Sequence, residues 1–99
     1  MIVVAGYFDV AEDDRRAYLD SKAAQAARTL LETGCREYAF SADDAHAGRV
    51  RLFELWDSMP DLQAHMSNLR ATPPDPSPVA VLSSAIQLFE ATPTRLPSS

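Results

Sequence analysis

Cysteine occurs once and glycine three times in these 99 residues, and nine basic side chains stand against fourteen acids. Each scarcity excludes something. A single cysteine, Cys35, forbids any disulfide within the chain. Three glycines, Gly6, Gly34 and Gly48, cannot build the GxGxxG or GxxxxGK[ST] loops that cradle nucleotide phosphates. A net charge of −5 leaves no basic face for a phosphate backbone. The one adjacent basic pair, Arg15-Arg16, follows Glu12, Asp13 and Asp14, so nucleic acid is not an expected partner. No apolar run reaches the roughly 18 residues of a membrane span. The opening MIVVAGYFDV has no basic n-region and meets an acid at Asp9, unlike a secretory signal. These absences predict a cytoplasmic protein with no membrane partner. The two histidines, His46 and His65, belong to different elements, and no HxxxH or CxxC spacing exists, so no metal site is expected.

What is present is ordinary globular material: 46% apolar and 23% charged residues. A chain of this length has room for one core. The reading is a single α+β domain over residues 1–91, followed by a loose tail, 92–99.

Residues 2–10 are rich in β-branched and aromatic types and predict a strand. Ile2, Val4, Gly6 and Phe8 share one face; Val3, Ala5, Tyr7 and Asp9 share the other. Both are largely apolar, so both need covering. A helix follows from Arg15, with Leu19, Ala23, Ala26 and Leu30 as its apolar stripe and Gly34 as a left-handed cap. A second strand over Cys35–Ser41 places Arg36, Tyr38 and Phe40 together. After a polar turn at Ala42–Gly48, a third strand over Arg49–Trp56 pairs back as a hairpin. Ser58 is a good N-cap, with Pro60 in the first turn and Asp61 three residues on. The second helix carries Leu62, His65, Met66 and Leu69 at helical spacing. Four prolines in residues 71–78 predict an extended connector, and a last strand spans Val79–Glu90. The order β-α-β-β-α-β, with right-handed crossovers, gives a ferredoxin-like antiparallel sheet with two helices on one face. Its helix-free face then predicts a homodimer.

The chemistry concentrates between Phe53 and Leu69, FELWDSMPDLQAHMSNL, where a strand passes into a helix with almost no loop. His65 has the ordinary pKa of about 6.5 that suits proton transfer near neutrality; a buried hydrogen bond beneath the sheet is the alternative. Trp56 is either core or a wall that stacks on an aromatic ligand. Glu54 shares a face with Leu52 and Trp56; buried alone it becomes a base of raised pKa, and paired with Arg36 or Arg51 it is a structural salt bridge. Tyr7 and Tyr38 offer phenolic hydrogen bonds to a substrate oxyanion, or packing. Met66 is a ligand contact or plain core. Cys35 is a small semi-buried residue, or a thiol whose pKa Arg36 lowers.

Gly34-Cys35 leading to Tyr38, then Phe53-Glu54-Leu55-Trp56, then Ala64-His65-Met66, in this order and spacing, resemble the antibiotic biosynthesis monooxygenase (ABM) domain of the dimeric α+β barrel superfamily. The resemblance covers residues 2–90. It implies two sheets packed face to face in a homodimer, with an apolar cavity in each subunit. It also implies oxygenation of a small aromatic, quinol or polyketide-like molecule by O2 without any cofactor: no metal, flavin or haem. On that basis His65 is the expected catalytic group, and Tyr7, Tyr38, Glu54, Trp56 and Met66 the expected substrate contacts. A haem-degrading branch carries an Asn on the first strand, a Trp on the second helix and a ligand His beyond it. Here Ala5-Gly6-Tyr7-Phe8 has no Asn, His65 replaces the Trp, and the connector with Asp75 replaces the ligand His, which argues against haem degradation. A non-catalytic small-ligand-binding dimer, and an isomerase or cyclase, remain as alternatives.

Overall fold

The computed structural model describes residues 1–76 and 78–98. Ser77 of the expected connector and Ser99 of the expected tail lie outside the described residues. Strands β1 (Ile2–Asp9), β2 (Cys35–Ala42), β3 (Arg49–Trp56) and β4 (Ser83–Glu90) form one antiparallel sheet in the order β2-β3-β1-β4. A 3₁₀ turn, Glu12–Asp14, leads into α1 (Arg15–Thr29), and α2 (Met59–Ala71) follows β3. This is the ferredoxin-like α+β fold that the order of elements predicts.

Strand alternation decides the core. Ile2 and Val4 of β1 and Val50, Leu52, Glu54 and Trp56 of β3 all turn toward the helices and are buried. Leu62 of α2 and Ala26 of α1 close over them. A second cluster, Val10, Tyr18 and Val50, sits under the start of α1. Burying a side chain the size of Leu or Val contributes about 1.5–3 kcal/mol, and these two clusters tie both helices to one face.

Several local expectations are corrected. The stripe of α1 is rotated: Tyr18 and Thr29 are buried, whereas Ala23 is exposed and Leu30 is 48% exposed. A polar residue serves the interface here: Gln25 Nε2 donates to the Tyr38 hydroxyl at 2.8 Å, while the buried Thr29 Oγ1 bonds back within the helix to the Gln25 carbonyl at 2.7 Å. The helix also ends at Thr29, before Gly34. Its end winds down through i→i+3 bonds from Leu31 to Arg28 and from Glu32 to Thr29. Gly34, at φ 78°, makes the turn into β2, where any Cβ would strike the Asp61 carboxylate.

Arg36 does not share a face with Tyr38. A bulge between Cys35 and Glu37 makes Arg36 the extra residue, and it turns out to bond Asp57. The last strand starts at Ser83, four residues late. Val79 packs instead against the Val10–Tyr18–Val50 cluster, and the Leu82 amide donates to the Asp9 carbonyl at 2.8 Å.

The start of α2 agrees with its sequence signals: Ser58 Oγ accepts from the Asp61 amide at 3.3 Å, with Pro60 in the first turn. The turn between β2 and β3 is held from within. Asp43 accepts from the Ala45 and His46 amides and from Arg51, while Arg15 donates to the Asp43 and His46 carbonyls. No helix among the described residues is long and apolar enough to cross a membrane.

Candidate functional site

α2 lies against β3 and leaves the helix-side face of β4 uncovered. Ile86 and Leu88 of β4 pair with Gly6 and Val4 of β1, so their side chains project beside α2 without being covered by it. The result is a cavity of about 350 Å³ lined by Val4, Glu54, Met59, Leu62, Gln63, Met66, Ile86, Gln87 and Leu88. Its wall is apolar apart from the two glutamines and one carboxylate. Such a lining suits a small, largely apolar ligand oriented by a few polar groups.

Glu54 is that carboxylate. It is 6% exposed, and its Oε1 accepts from the Trp56 indole Nε1 at 2.9 Å. Among the described residues no salt bridge forms at this carboxylate: Arg36 pairs with Asp57 and Arg51 with Asp43, both elsewhere. Burial pushes the Glu54 pKa up, with the indole hydrogen bond and the nearby His65 opposing and Glu32 adding to the rise. The group is thus poised as a proton acceptor in an apolar wall.

His65 is placed under the sheet near Trp56, as its helical position predicts, but it does not line this cavity. It is 1% exposed and lies between two rings, 4.9 Å from Trp56 and 5.3 Å from Tyr38 between centroids. Nδ1 lies 3.0 Å from Glu32 Oε2, while Nε2 is buried without a hydrogen-bond partner among the described residues. Leaving a buried polar atom unpaired costs about 1–3 kcal/mol. Glu32 also accepts from Asn68 at 3.0 Å.

Of the other expected site residues, Trp56 is fully buried behind Glu54, and Met66, 46% exposed, stands on the cavity wall. Tyr38 is cross-strand partner to Glu54, with its hydroxyl engaged by Gln25. Burial and the Glu54 charge push its pKa up to about 12, so it stays a neutral phenol. Tyr7 is not part of this group. It lies on the opposite face of the sheet, where the Arg49 guanidinium stacks 3.6 Å from its ring. Cys35 takes the first of its two readings, a semi-buried residue: burial, then Glu32 and Glu54, push its thiol pKa up, and Arg36 is turned away.

The sequence reading missed Glu32, Ile86, Leu88, Gln63 and Gln87. Ile86 and Leu88 were legible as strand residues, but not as a wall. Glu32, in the turn after α1, has no local signal, because its partner is 33 residues away. Among the described residues no three His, Cys, Asp or Glu side chains gather as a metal site would require.

The family model described as antibiotic biosynthesis monooxygenase matches residues 1–71. A candidate antibiotic biosynthesis monooxygenase from Deinococcus radiodurans superposes with a TM-score of 0.77 at 18% identity, over 100% of both chains. A haem degrader from Mycobacterium tuberculosis, solved with two haems in its active site, gives 0.73 at 15% identity, over 92% of this chain and 95% of that one. Another Mycobacterium tuberculosis protein is 26% identical, with a TM-score of 0.62 over 94% and 96%. A comparison with curated proteins returns no match.

Proposed function

The chain belongs to the antibiotic biosynthesis monooxygenase family, and from that premise we propose that it oxygenates a small electron-rich aromatic molecule, a quinol or polyketide-like phenol. The site is the cavity between α2 and β4. The observation that carries this reading is a buried carboxylate, Glu54, as the one titratable side chain among the residues lining a mostly apolar cavity.

Glu54 takes the proton of a substrate hydroxyl, and the resulting anion lies against a mostly apolar wall. The anion gives its electrons to O2 at an electron-rich ring carbon. One oxygen atom stays in the product. The other leaves as water with two hydrogens, and the substrate itself supplies all four electrons. The balance therefore needs no flavin, haem or metal. The haem degrader shares the fold, but the residues here do not suit haem. No imidazole lines this cavity, because His65 is sealed behind its wall and already engaged by Glu32.

The proposal extends to a homodimer formed on the face without helices. Val3, Ala5, Phe53, Leu55 and Phe89 meet there in register, and Phe53 and Phe89 remain 39% and 46% exposed. That much apolar surface on a small subunit favours a second copy as its cover.

Oxygen uptake with a panel of hydroquinones and anthrones tests the reading. Uptake that matches product formed, and is lost in Glu54→Gln, supports it. Binding of these compounds without uptake points to a ligand-binding dimer, and conversion without O2 to an isomerase or cyclase.

A further inference from the structure

The two oxygens of the Glu54 carboxylate have different surroundings. Oε1 accepts from the Trp56 indole at 2.9 Å. Oε2 accepts no hydrogen bond among the described residues. Yet it is not sealed, because the one fully buried side-chain nitrogen or oxygen left unpaired among them is His65 Nε2. Glu54 lines the cavity between α2 and β4, and that is where its free oxygen is open. The indole is held from behind. Trp56 is fully buried, its ring centroid lies 4.9 Å from that of His65, and Glu32 holds the imidazole at Nδ1.

We infer that Trp56 is a positioning residue for the proposed reaction: its indole N–H holds Oε1 and leaves Oε2, turned into the cavity, as the single oxygen that receives the substrate proton. The inference rests on the reading of Glu54 as the base. Trp56 itself is not on the cavity wall and touches no substrate.

An indole suits this task. It has one N–H and no charge, so it engages one oxygen and leaves the other basic. A guanidinium would take both oxygens in a bidentate pair, and Arg36 and Arg51 are engaged with Asp57 and Asp43 instead. The bond also counters burial. Burial raises the Glu54 pKa, and the indole N–H is the strongest influence in the opposite direction, because a hydrogen bond to a carboxylate favours its charged form. The other groups around Glu54 are few. Val4 is its partner on β1, and Tyr38 its partner on β2. Tyr38 and Cys35 are neutral near pH 7, since burial raises both. His65 on α2 acts in the same direction as the indole, and Glu32 in the turn after α1 acts against it. The cavity residues of β4, Ile86, Gln87 and Leu88, carry no charge.

Trp56 is the only tryptophan of the chain, so its one indole N–H resonance reports on this bond in the ligand-free full-length protein. That resonance should move downfield as Glu54 ionises in an NMR titration from about pH 4 to 9, and the step should vanish in Glu54→Gln. A resonance that does not move, or a step that survives in Glu54→Gln, would overturn the inference. Turnover is read in protein whose tryptophan is replaced by benzothienylalanine, which keeps the fused rings and puts sulfur in place of the N–H. Trp56→Phe is the encoded counterpart, and the analogue decides where that variant fails to fold. Loss of the N–H moves the acid limb of the kcat/KM profile to higher pH by about one unit, a tenfold change in proton affinity. The plateau kcat falls about tenfold or more while KM stays within about threefold, because the base is no longer aimed. A limb within about 0.3 unit of wild type, or an unchanged plateau, means that the indole merely fills space and overturns its role. A moving indole resonance in a protein that consumes no O2 with any hydroquinone or anthrone supports the clamp on Oε1 and overturns the oxygenase reading instead.

Discussion

Glu54 and Trp56, two residues apart on β3 and on the same face of the sheet, are hydrogen bonded to each other, with the indole Nε1 2.9 Å from Oε1. The period of two in a strand makes this contact local, while burial of both residues makes it consequential. One carboxylate oxygen is fixed by the indole, and the carboxyl group is thereby held at the cavity wall.

Glu54→Gln should separate function from stability. Burial raises the Glu54 pKa, so the folded protein binds this proton more tightly than the unfolded chain. The stabilising effect is complete below the ordinary carboxylate range and is lost as pH rises through the raised pKa. Glutamine keeps an acceptor for Trp56 and never ionises. Its urea midpoint at pH 8 should equal or exceed that of the wild type, while turnover falls by about 10²–10⁴-fold. A variant clearly less stable at pH 8 would contradict the assignment.

His65→Ala should cost about 1–3 kcal/mol in urea unfolding, because Glu32 Oε2 loses the imidazole and keeps only the Asn68 contact at its other oxygen. The void left between Tyr38 and Trp56 adds to that cost. A midpoint indistinguishable from wild type would mean that the imidazole is not integral to the core.

Asp43 should govern stability in acid. The Ala45 amide, with Arg51 next, holds its carboxyl well below the usual carboxylate range. Its contribution is present above the ordinary carboxylate pKa of about 4 and is lost as pH falls through the depressed value. Asp43→Asn should therefore lower the urea midpoint at pH 7, and the gap to wild type should close as the pH is taken below about 3. A gap that stays constant from pH 7 to 2 would show that the carboxylate charge is irrelevant.

Phe53→Arg tests the proposed dimer. Sedimentation at micromolar concentration should give a dimer for the wild-type chain and a shift toward monomer for the variant, because an unpaired charge enters an apolar contact. A wild-type monomer of 10.8 kDa would remove the basis for a second copy on this face.

Short-range signals were enough for the order of the elements and most of their bounds. Period-two alternation through Arg49–Trp56 placed Leu52, Glu54 and Trp56 on one face, and Ser58, Pro60 and Asp61 fixed where α2 begins, because caps and alternation act over a few residues. With three glycines the chain has no GxGxxG or GxxxxGK[ST] loop. Tertiary structure decided the rest. The stripe of α1 kept Leu19 and Ala26 but took in Tyr18, Gln25 and Thr29 in place of Ala23 and Leu30, because a hydrogen bond to Tyr38 serves a helix–sheet contact as well as a methyl group does. A one-residue bulge sent Arg36 away from Tyr38, and no propensity encodes a bulge. The cavity exists because α2 stops short of β4, and His65 sits outside it, held at Nδ1 by Glu32, which the chain's return from α1 brings in. Such contacts join residues tens of positions apart, and only packing, which fills space without regard to sequence distance, brings them together.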